Sequence, residues 1–221
     1  MEKHLSYWQE DCDIDDFKKW CGEHQIGWKH FERNYIKEKK YKTVLDVGAG
    51  LYSEYYGFES ENIDIDYTAT EITEKFIEIG KNKEINVINA YADNLPFNDN
   101  SFDVVLCYDV LGHQLSFKET ILELYRVSRH DVIISFFKTF VEEEPTRVEI
   151  YKNLLHDGFK VEKSKNTNGL IVHRLTNKKG ETTGIYHFYS FDEITKFLKQ
   201  NQMKSKFYKV DNKLILKISK D

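Results

Sequence analysis

In Thr43-Val44-Leu45-Asp46-Val47-Gly48-Ala49-Gly50, three apolar or β-branched residues lead into an acid, and two glycines follow, two apart. The apolar run reads as a buried parallel strand over 42–47. The glycines read as the tight turn after it, where a missing Cβ allows a positive φ and lets backbone approach a ligand closely. A strand that ends this way is a ligand site in an α/β sheet, because ligands sit outside the carboxyl ends of parallel strands. Taken alone, the stretch is equally a strand that happens to end in Gly-Ala-Gly.

The downstream sequence extends the pattern. A short, degraded helix fits 51–61, and a second strand, 67–71, also ends in an acid, Glu71. Phe76, Ile77 and Ile79 give a helix over 74–83 its apolar side. A third strand over 85–91 closes in Ala92-Asp93, a loop with Pro96 spans 94–101, and a fourth strand covers 102–108. Ser116-Phe117-Lys118-Glu119 has the form of a capping box and opens a helix to about 128. A fifth strand follows over 132–137. Strands without polar alternation, each followed by a helix, are the mark of an α/β doubly wound parallel sheet.

Outside this core the pattern changes. Residues 1–40 are polar with interspersed aromatics, and 13–20 and 28–39 suit short helices with one apolar side. This N-terminal helical segment either caps the ligand cleft as a lid or packs on the outside of the domain. Pro145 suits the first turn of a helix over 146–157. The runs 168–175 and 183–189 flank Asn177-Lys178-Lys179-Gly180 and read as a β-hairpin. Residues 141–189 are thus expected to form a small lid insertion on the substrate side. Ser190-Phe191-Asp192-Glu193 is a second capping box, opening a helix to about 200. Two closing strands, 206–210 and 214–219, follow and are close enough in sequence to pair antiparallel.

At 221 residues the chain is long enough for one domain, 1–221, with a substantial core and a modest insertion. A net charge of −5 argues against nucleic acid as the main partner, since phosphate binding needs a basic surface. Cys12, Cys21 and Cys107 are too few and too irregular for a disulfide framework, which points to a reducing compartment, the cytoplasm. Cys12, Cys21, His24 and His30 do not have the spacing of common zinc sites. No apolar run is long enough to span a membrane, and the start carries no apolar signal region.

Three acids follow strand ends in order: Asp46, Glu71 and Asp93. Glu71 lies 25 residues beyond Asp46, near the separation of ~20 residues at which an acid after a second strand meets a ribose diol. A carboxylate only accepts hydrogen bonds, so it can take both hydroxyl protons of a ribose, and Asp93 is placed to accept from an exocyclic amine.

Asp46-Val47-Gly48-Ala49-Gly50, Glu71, Ala92-Asp93-Asn94-Leu95-Pro96-Phe97, Ser101-Phe102-Asp103-Val104-Val105 and Leu122-Glu123-Leu124-Tyr125-Arg126-Val127 together resemble the class I S-adenosylmethionine-dependent methyltransferases, in their small-molecule, type 11-like subgroup. The resemblance covers about 42–137, and 190–219 resembles that family's closing helix and antiparallel strand pair. It implies a Rossmann-like, mostly parallel seven-stranded sheet with an antiparallel last strand. It also implies S-adenosyl-L-methionine as cofactor, with Gly48 and Gly50 under its methionine part and Asp46 orienting the glycine turn and the cofactor amine. Glu71 would bind the ribose hydroxyls and Asp93 the adenine amine, with Ala92 and Asn94 beside the ring. Ile72 and Tyr108 complete the cofactor-binding set. The chain departs from the pattern twice. Tyr52 stands where the family often has a third glycine, and Ser128-Arg129-His130-Asp131 replaces the usual Lys-Pro-Gly-Gly, which predicts a shorter surface turn.

Methyl transfer from a sulfonium needs an acceptor lone pair held in line with the sulfur and shielded from water. An alcohol also needs a base. His113 falls just after the fourth strand and is a candidate for that base, with Asp109 to orient it or the substrate; the alternative is a structural histidine. His156, His173 and His187 on the insertion are weaker candidates. Tyr7, Trp8 and Trp28 are the candidate acceptor-binding aromatics. No Asn/Asp-Pro-Pro-Tyr/Phe follows the fourth strand and no Pro-Cys occurs, which excludes resemblance to base-amine and cytosine-C5 enzymes. The fifth strand lacks the Asp-Asn of metal-dependent catechol enzymes, so no metal is expected. The expected acceptor is a small molecule, a sugar or similar hydroxyl compound, with a small amine as runner-up. Two readings of another class remain. One is an NAD-dependent oxidoreductase, against which Ser53 stands at the third position of G-x-G-x-x-G. The other is a non-catalytic cofactor-binding protein.

Overall fold

The computed structural model describes residues 14, 15, 18, 27–114, 116–136, 160–165, 171–176, 182–189, 191–211 and 213–220. Helix α1, Gly27–Glu38, precedes β1, Thr43–Val47, and α2, Ser53–Ser60. Then come β2, Asp66–Glu71, α3, Glu74–Asn82, β3, Val87–Asn89, and β4, Phe102–Tyr108. A 3₁₀ turn at Leu111–His113 leads to α4, Phe117–Val127, and β5, Ser128–Phe136. Strands β6, Lys160–Lys165, β7, Ile171–Thr176, and β8, Thr182–Phe188, precede α5, Phe191–Gln200, β9, Lys204–Val210, and β10, Lys213–Ser219.

Seven strands form one sheet in the order β3-β2-β1-β4-β5-β10-β9. Strands β1 to β5 pair in parallel, and β10 runs antiparallel to both β5 and β9. This is the expected doubly wound sheet with its last strand reversed. Successive residues of the central strands point to opposite faces, and both faces are buried. Val105 and Cys107 pack with Ile121 and Leu124 of α4 and Leu198 of α5. Val104 and Leu106 pack with Trp28 and Ile36 of α1 and Tyr52 and Phe58 near α2. The chain leaves β1 toward β2 on one side and β4 lies on the other, so the topological switch falls between β1 and β4, the place where open α/β sheets take ligands at their carboxyl ends.

Four expectations need correction. The third strand is only Val87–Asn89 rather than 85–91, because its pairing with β2 ends at Glu71↔Asn89 and the chain then turns through the Tyr91–Asn94 bridge. The fifth strand starts at Ser128 rather than 132, directly after α4. Residues 128–131 are therefore not a surface turn: Ser128 and Asp131 are buried, and Asp131 accepts hydrogen bonds from Tyr35 and Tyr41 at 2.8 and 2.6 Å and from Ser219 at 2.6 Å. The hairpin of 168–189 is present as β7 and β8, but β6 joins it to make a separate antiparallel sheet, β6-β7-β8. The closing pair starts earlier, at Lys204 and Lys213. The helix expected over 146–157 lies outside the described residues, as does most of 13–20. Among the described residues, no helix is long and apolar enough to cross a membrane.

Candidate active site

The turn after β1 has the left-handed backbone its glycines allow, with φ of 71° at Gly48 and 55° at Gly50. The amides of Gly48 and Ala49 donate to the carbonyl of Thr70 at 2.9 and 3.2 Å. A Cβ on Gly48 would stand 2.4 Å from Cγ2 of Val110, so the glycine turn lies directly against the turn that follows β4. Tyr52, at the position of the missing third glycine, has the left-handed backbone that glycine adopts readily, with φ 61° and ψ 35°. Full burial and a 2.6 Å hydrogen bond from its hydroxyl to the carbonyl of Phe76 hold it there.

Glu71 ends β2 only 7% exposed. Its Oε2 accepts from the amide of Gly50 at 2.9 Å, and its Oε1 from the amides of Ile72 and Thr73 at 2.7 and 3.1 Å. Burial pushes its pKa up, against those amide donors. Of the roughly four acceptor positions a carboxylate offers, three are used, and the remaining lone pair on Oε2 can serve a ribose hydroxyl. Asp46 is 3% exposed and accepts from the hydroxyl of Tyr67 at 2.6 Å. Burial, reinforced by the neighbouring Glu54 carboxylate, pushes its pKa up to about 7. Ala92 is buried, Asp93 and Asn94 are exposed on the turn after β3, and Ile72 is half-buried at the end of β2. Three backbone positions with positive φ, an acid under the turn and an exposed acid after β3 fit an adenosyl group lying across the sheet edge.

Trp28 and Tyr108 meet edge to face, with ring centroids 4.8 Å apart and planes at 75°. Trp28 is 1% exposed, and among the described residues neither its Nε1 nor the buried Tyr108 hydroxyl has a hydrogen-bond partner. Lys29 Nζ lies 5.6 Å from the Trp28 ring and 5.7 Å from that of Tyr108, and Lys213 Nζ lies 5.5 Å from the Trp28 ring. Lys29 also donates to Ser53 Oγ at 2.6 Å and pairs with Glu54 at 2.8 Å. Arg33, one helical turn on, pairs with Glu54 at 3.0 Å and Glu61 at 2.6 Å. These contacts fasten α1 to the helix that begins just after the glycine turn. Sequence reasoning missed Lys29, Arg33, Glu54 and Lys213. The Lys29/Arg33 spacing of i,i+4 was the one available signal, and it names no partner.

His113 closes the 3₁₀ turn and is half-buried. The Asp109 carboxylate faces Ser135 Oγ, at 3.1 Å, and Lys213 Nζ, at 2.5 Å. Tyr7, Trp8, Cys12, Cys21, His24 and His156 lie outside the described residues, and His173 and His187 are placed in β7 and β8 by backbone alone. His30 pairs with Glu61 at 3.1 Å. Among the described residues, no group of three or more His, Cys, Asp or Glu could hold a metal ion.

Residues 45–136 match the sequence family described as "Methyltransferase domain". An uncharacterized methyltransferase, YcgJ, of Bacillus subtilis is 27% identical over 116 residues, 50% of this chain and 46% of that one. A demethylmenaquinone methyltransferase of Staphylococcus saprophyticus is 29% identical over 138 residues, 56% of this chain and 57% of that one. The chain thus spans about half the length of these curated relatives. Among solved structures, the PH0226 protein of Pyrococcus horikoshii superposes with a TM-score of 0.66 at 15% identity, over 99% of this chain and 97% of that one. S-adenosylmethionine-bound CalS10 of Micromonospora echinaspora, an amino pentose methyltransferase, superposes with a TM-score of 0.63 at 8% identity, over 96% and 100%.

Proposed function

We propose that the protein, whose residues 45–136 match a methyltransferase domain, transfers the methyl group of S-adenosylmethionine to a hydroxyl of a small molecule, a sugar or a similar hydroxyl compound. The bound cofactor supplies an electrophilic methyl on a sulfonium. The Gly48–Gly50 turn carries its methionine end, beside Asp46. Glu71 accepts from the ribose, and Asp93 accepts from the adenine amine with Ala92, Asn94 and Ile72 alongside. Tyr108 stands between cofactor and acceptor. Trp28 forms the acceptor wall, and α1 and the small β6-β7-β8 sheet cover the crevice. His113 would take the proton of the acceptor hydroxyl that receives the methyl.

The observation that carries this reading is the Trp28–Tyr108 pair. It joins the residue expected on the acceptor side to the one expected on the cofactor side. Among the described residues its two polar atoms, the donor Trp28 Nε1 and the Tyr108 hydroxyl, have no hydrogen-bond partner, and a hydroxyl-bearing ligand can serve both. The ammonium groups of Lys29 and Lys213 lie over these rings, each paired with a carboxylate, Glu54 and Asp109.

The test is a screen of hydroxyl and amine metabolites with methyl-labelled cofactor. Methylation of hydroxyl compounds is expected. His113→Ala should then lower kcat by about 10²–10⁴-fold, the usual worth of positioned proton transfer, with S-adenosylhomocysteine affinity unchanged. Methylation of amines alone, or turnover within a few-fold of wild type in His113→Ala, would overturn the reading.

A further inference from the structure

The six residues from Asp109 to Gln114 join β4 to the segment before α4 and carry His113, and both ends of this turn are held by other parts of the fold. Asp109 has φ 62°, the left-handed region that a side chain disfavours. Its amide donates to the carbonyl of Ser135 at 3.2 Å, and its two carboxylate oxygens accept from Ser135 Oγ and Lys213 Nζ. Ser135 belongs to β5 and Lys213 opens β10. The antiparallel register, Ile215↔Ser135 and Leu214↔Phe136, brings the start of β10 to the same edge as the end of β5. At the other end, the buried hydroxyl of Tyr189 donates to the carbonyl of Gln114. Between them the amide of His113 donates to the carbonyl of Val110 at 2.8 Å, closing the 3₁₀ turn.

Lys213 is 9% exposed, so its ammonium is fixed by what it pairs with rather than by solvent. A charged, buried hydrogen bond to a residue in an unfavoured backbone conformation is the kind of contact that over-determines such a conformation. We propose that Lys213 is a positioning residue for methyl transfer: through Asp109 it fixes the 109–114 turn and so sets His113 toward the acceptor. This rests on His113 acting as the proton acceptor. The claim about Lys213 concerns the geometry of the turn and is read without any acceptor.

The experiment uses the full chain with labelled histidine and backbone, saturated with S-adenosylhomocysteine, and measures relaxation dispersion at the His113 ring and the amides of residues 110–114. His113→Ala identifies the ring signal. In Lys213→Met, and in the isosteric Asp109→Asn, the turn should gain microsecond-to-millisecond exchange that wild type lacks. Lys213→Arg should suppress it, and S-adenosylhomocysteine affinity should stay at the wild-type level in all three. Exchange-free turn signals in folded Lys213→Met or Asp109→Asn would overturn the proposal, since the ion pair would then contribute only to stability. A loss of S-adenosylhomocysteine affinity in parallel would also overturn it, by placing Lys213 in cofactor binding. A His113→Ala enzyme that keeps its turnover refutes the role of His113 as base and leaves these measurements as they stand.

Discussion

Gly48→Ala brings two turns into collision, and the structure sets the size of the effect. The new Cβ would lie 2.4 Å from Val110 Cγ2 and 3.5 Å from Val110 Cβ and Cγ1. Carbon atoms pack best at about 3.5–4.0 Å, so one contact is short by more than 1 Å. Val110 is β-branched and half-buried, and it cannot move without the 109–114 turn. Overpacking of this kind costs about 1–3 kcal/mol. The φ of 71° at Gly48 adds the left-handed penalty of about 1–2 kcal/mol for a residue with a Cβ. The sum, about 2–5 kcal/mol, is within what a domain of 5–15 kcal/mol total stability survives. Urea unfolding at constant m-value measures it as a lower midpoint. Adding Val110→Ala removes Cγ2 and should return the steric part, leaving only the backbone penalty of about 1–2 kcal/mol. S-adenosylhomocysteine affinity should fall in Gly48→Ala and recover in part in the double variant. The reasoning is refuted if Gly48→Ala costs less than about 1 kcal/mol, or if the two substitutions add as independent losses.

Glu71→Ala should weaken S-adenosylhomocysteine binding by about 1–3 kcal/mol, the worth of hydrogen bonds to a charged group. It should also lower the melting temperature, because the amides of Gly50, Ile72 and Thr73 lose their acceptor; calorimetry with wild-type affinity would refute the assignment. Glu32, fully buried and accepting from the Tyr208 hydroxyl at 2.9 and 3.0 Å, has its pKa pushed up to about 7, chiefly by burial. A carboxyl that binds its proton more tightly folded than unfolded makes stability fall as pH rises, here from about 4.5 to about 7. Glu32→Gln should match wild type at pH 4, exceed it above pH 7 by up to about 3 kcal/mol, and flatten the slope between, leaving the part of the same sign that Asp46 contributes. Denaturation curves that stay parallel across this range would count against a neutral Glu32.

The core was readable in the sequence because each of its elements answers one local question. Val44-Leu45 and Val104-Val105-Leu106 have no polar alternation, so burial on both faces follows from the residues alone. Ser116 does cap α4, its Oγ accepting from the amide of Lys118 at 3.3 Å. Strand β6 was not readable: Lys160-Val161-Glu162-Lys163-Ser164-Lys165 is a charged segment, and only its partner β7 makes it a strand. The early start of β5 was hidden for a related reason. Arg129, His130 and Asp131 look like a surface turn until Arg129 is seen to pair with Asp103 at 2.5 Å and Asp131 with two tyrosines from the other end of the chain. Asp46, Gly48, Gly50, Glu71 and Asp93 were legible as strand-end residues because the fold puts every such end on one edge. Lys213 and Lys29 come to that edge from β10 and α1, and no local pattern marks them.

The division between legible and hidden residues follows the division of labour in the site. Family resemblance covers 45–136, which supplies the glycine turn, Glu71, Asp93 and the turn with His113. Trp28, Lys29, Tyr189 and Lys213 lie outside it. Helix α1 is nonetheless built into the domain: Trp28 and Ile36 are buried against the sheet, Glu32 is held by Tyr208, and Lys29 and Arg33 reach Glu54. A segment fixed at that many points has lost its conformational freedom before any ligand arrives. The Trp28 ring is therefore of set position, with the ammonium groups of Lys29 and Lys213 beside it. Residues that hold a common cofactor can be shared among relatives with different acceptors. Those that choose the acceptor need to differ, and the residues proposed for that task here, Trp28 with Lys29 and Lys213 beside it, come from the segments on either side of the matched domain.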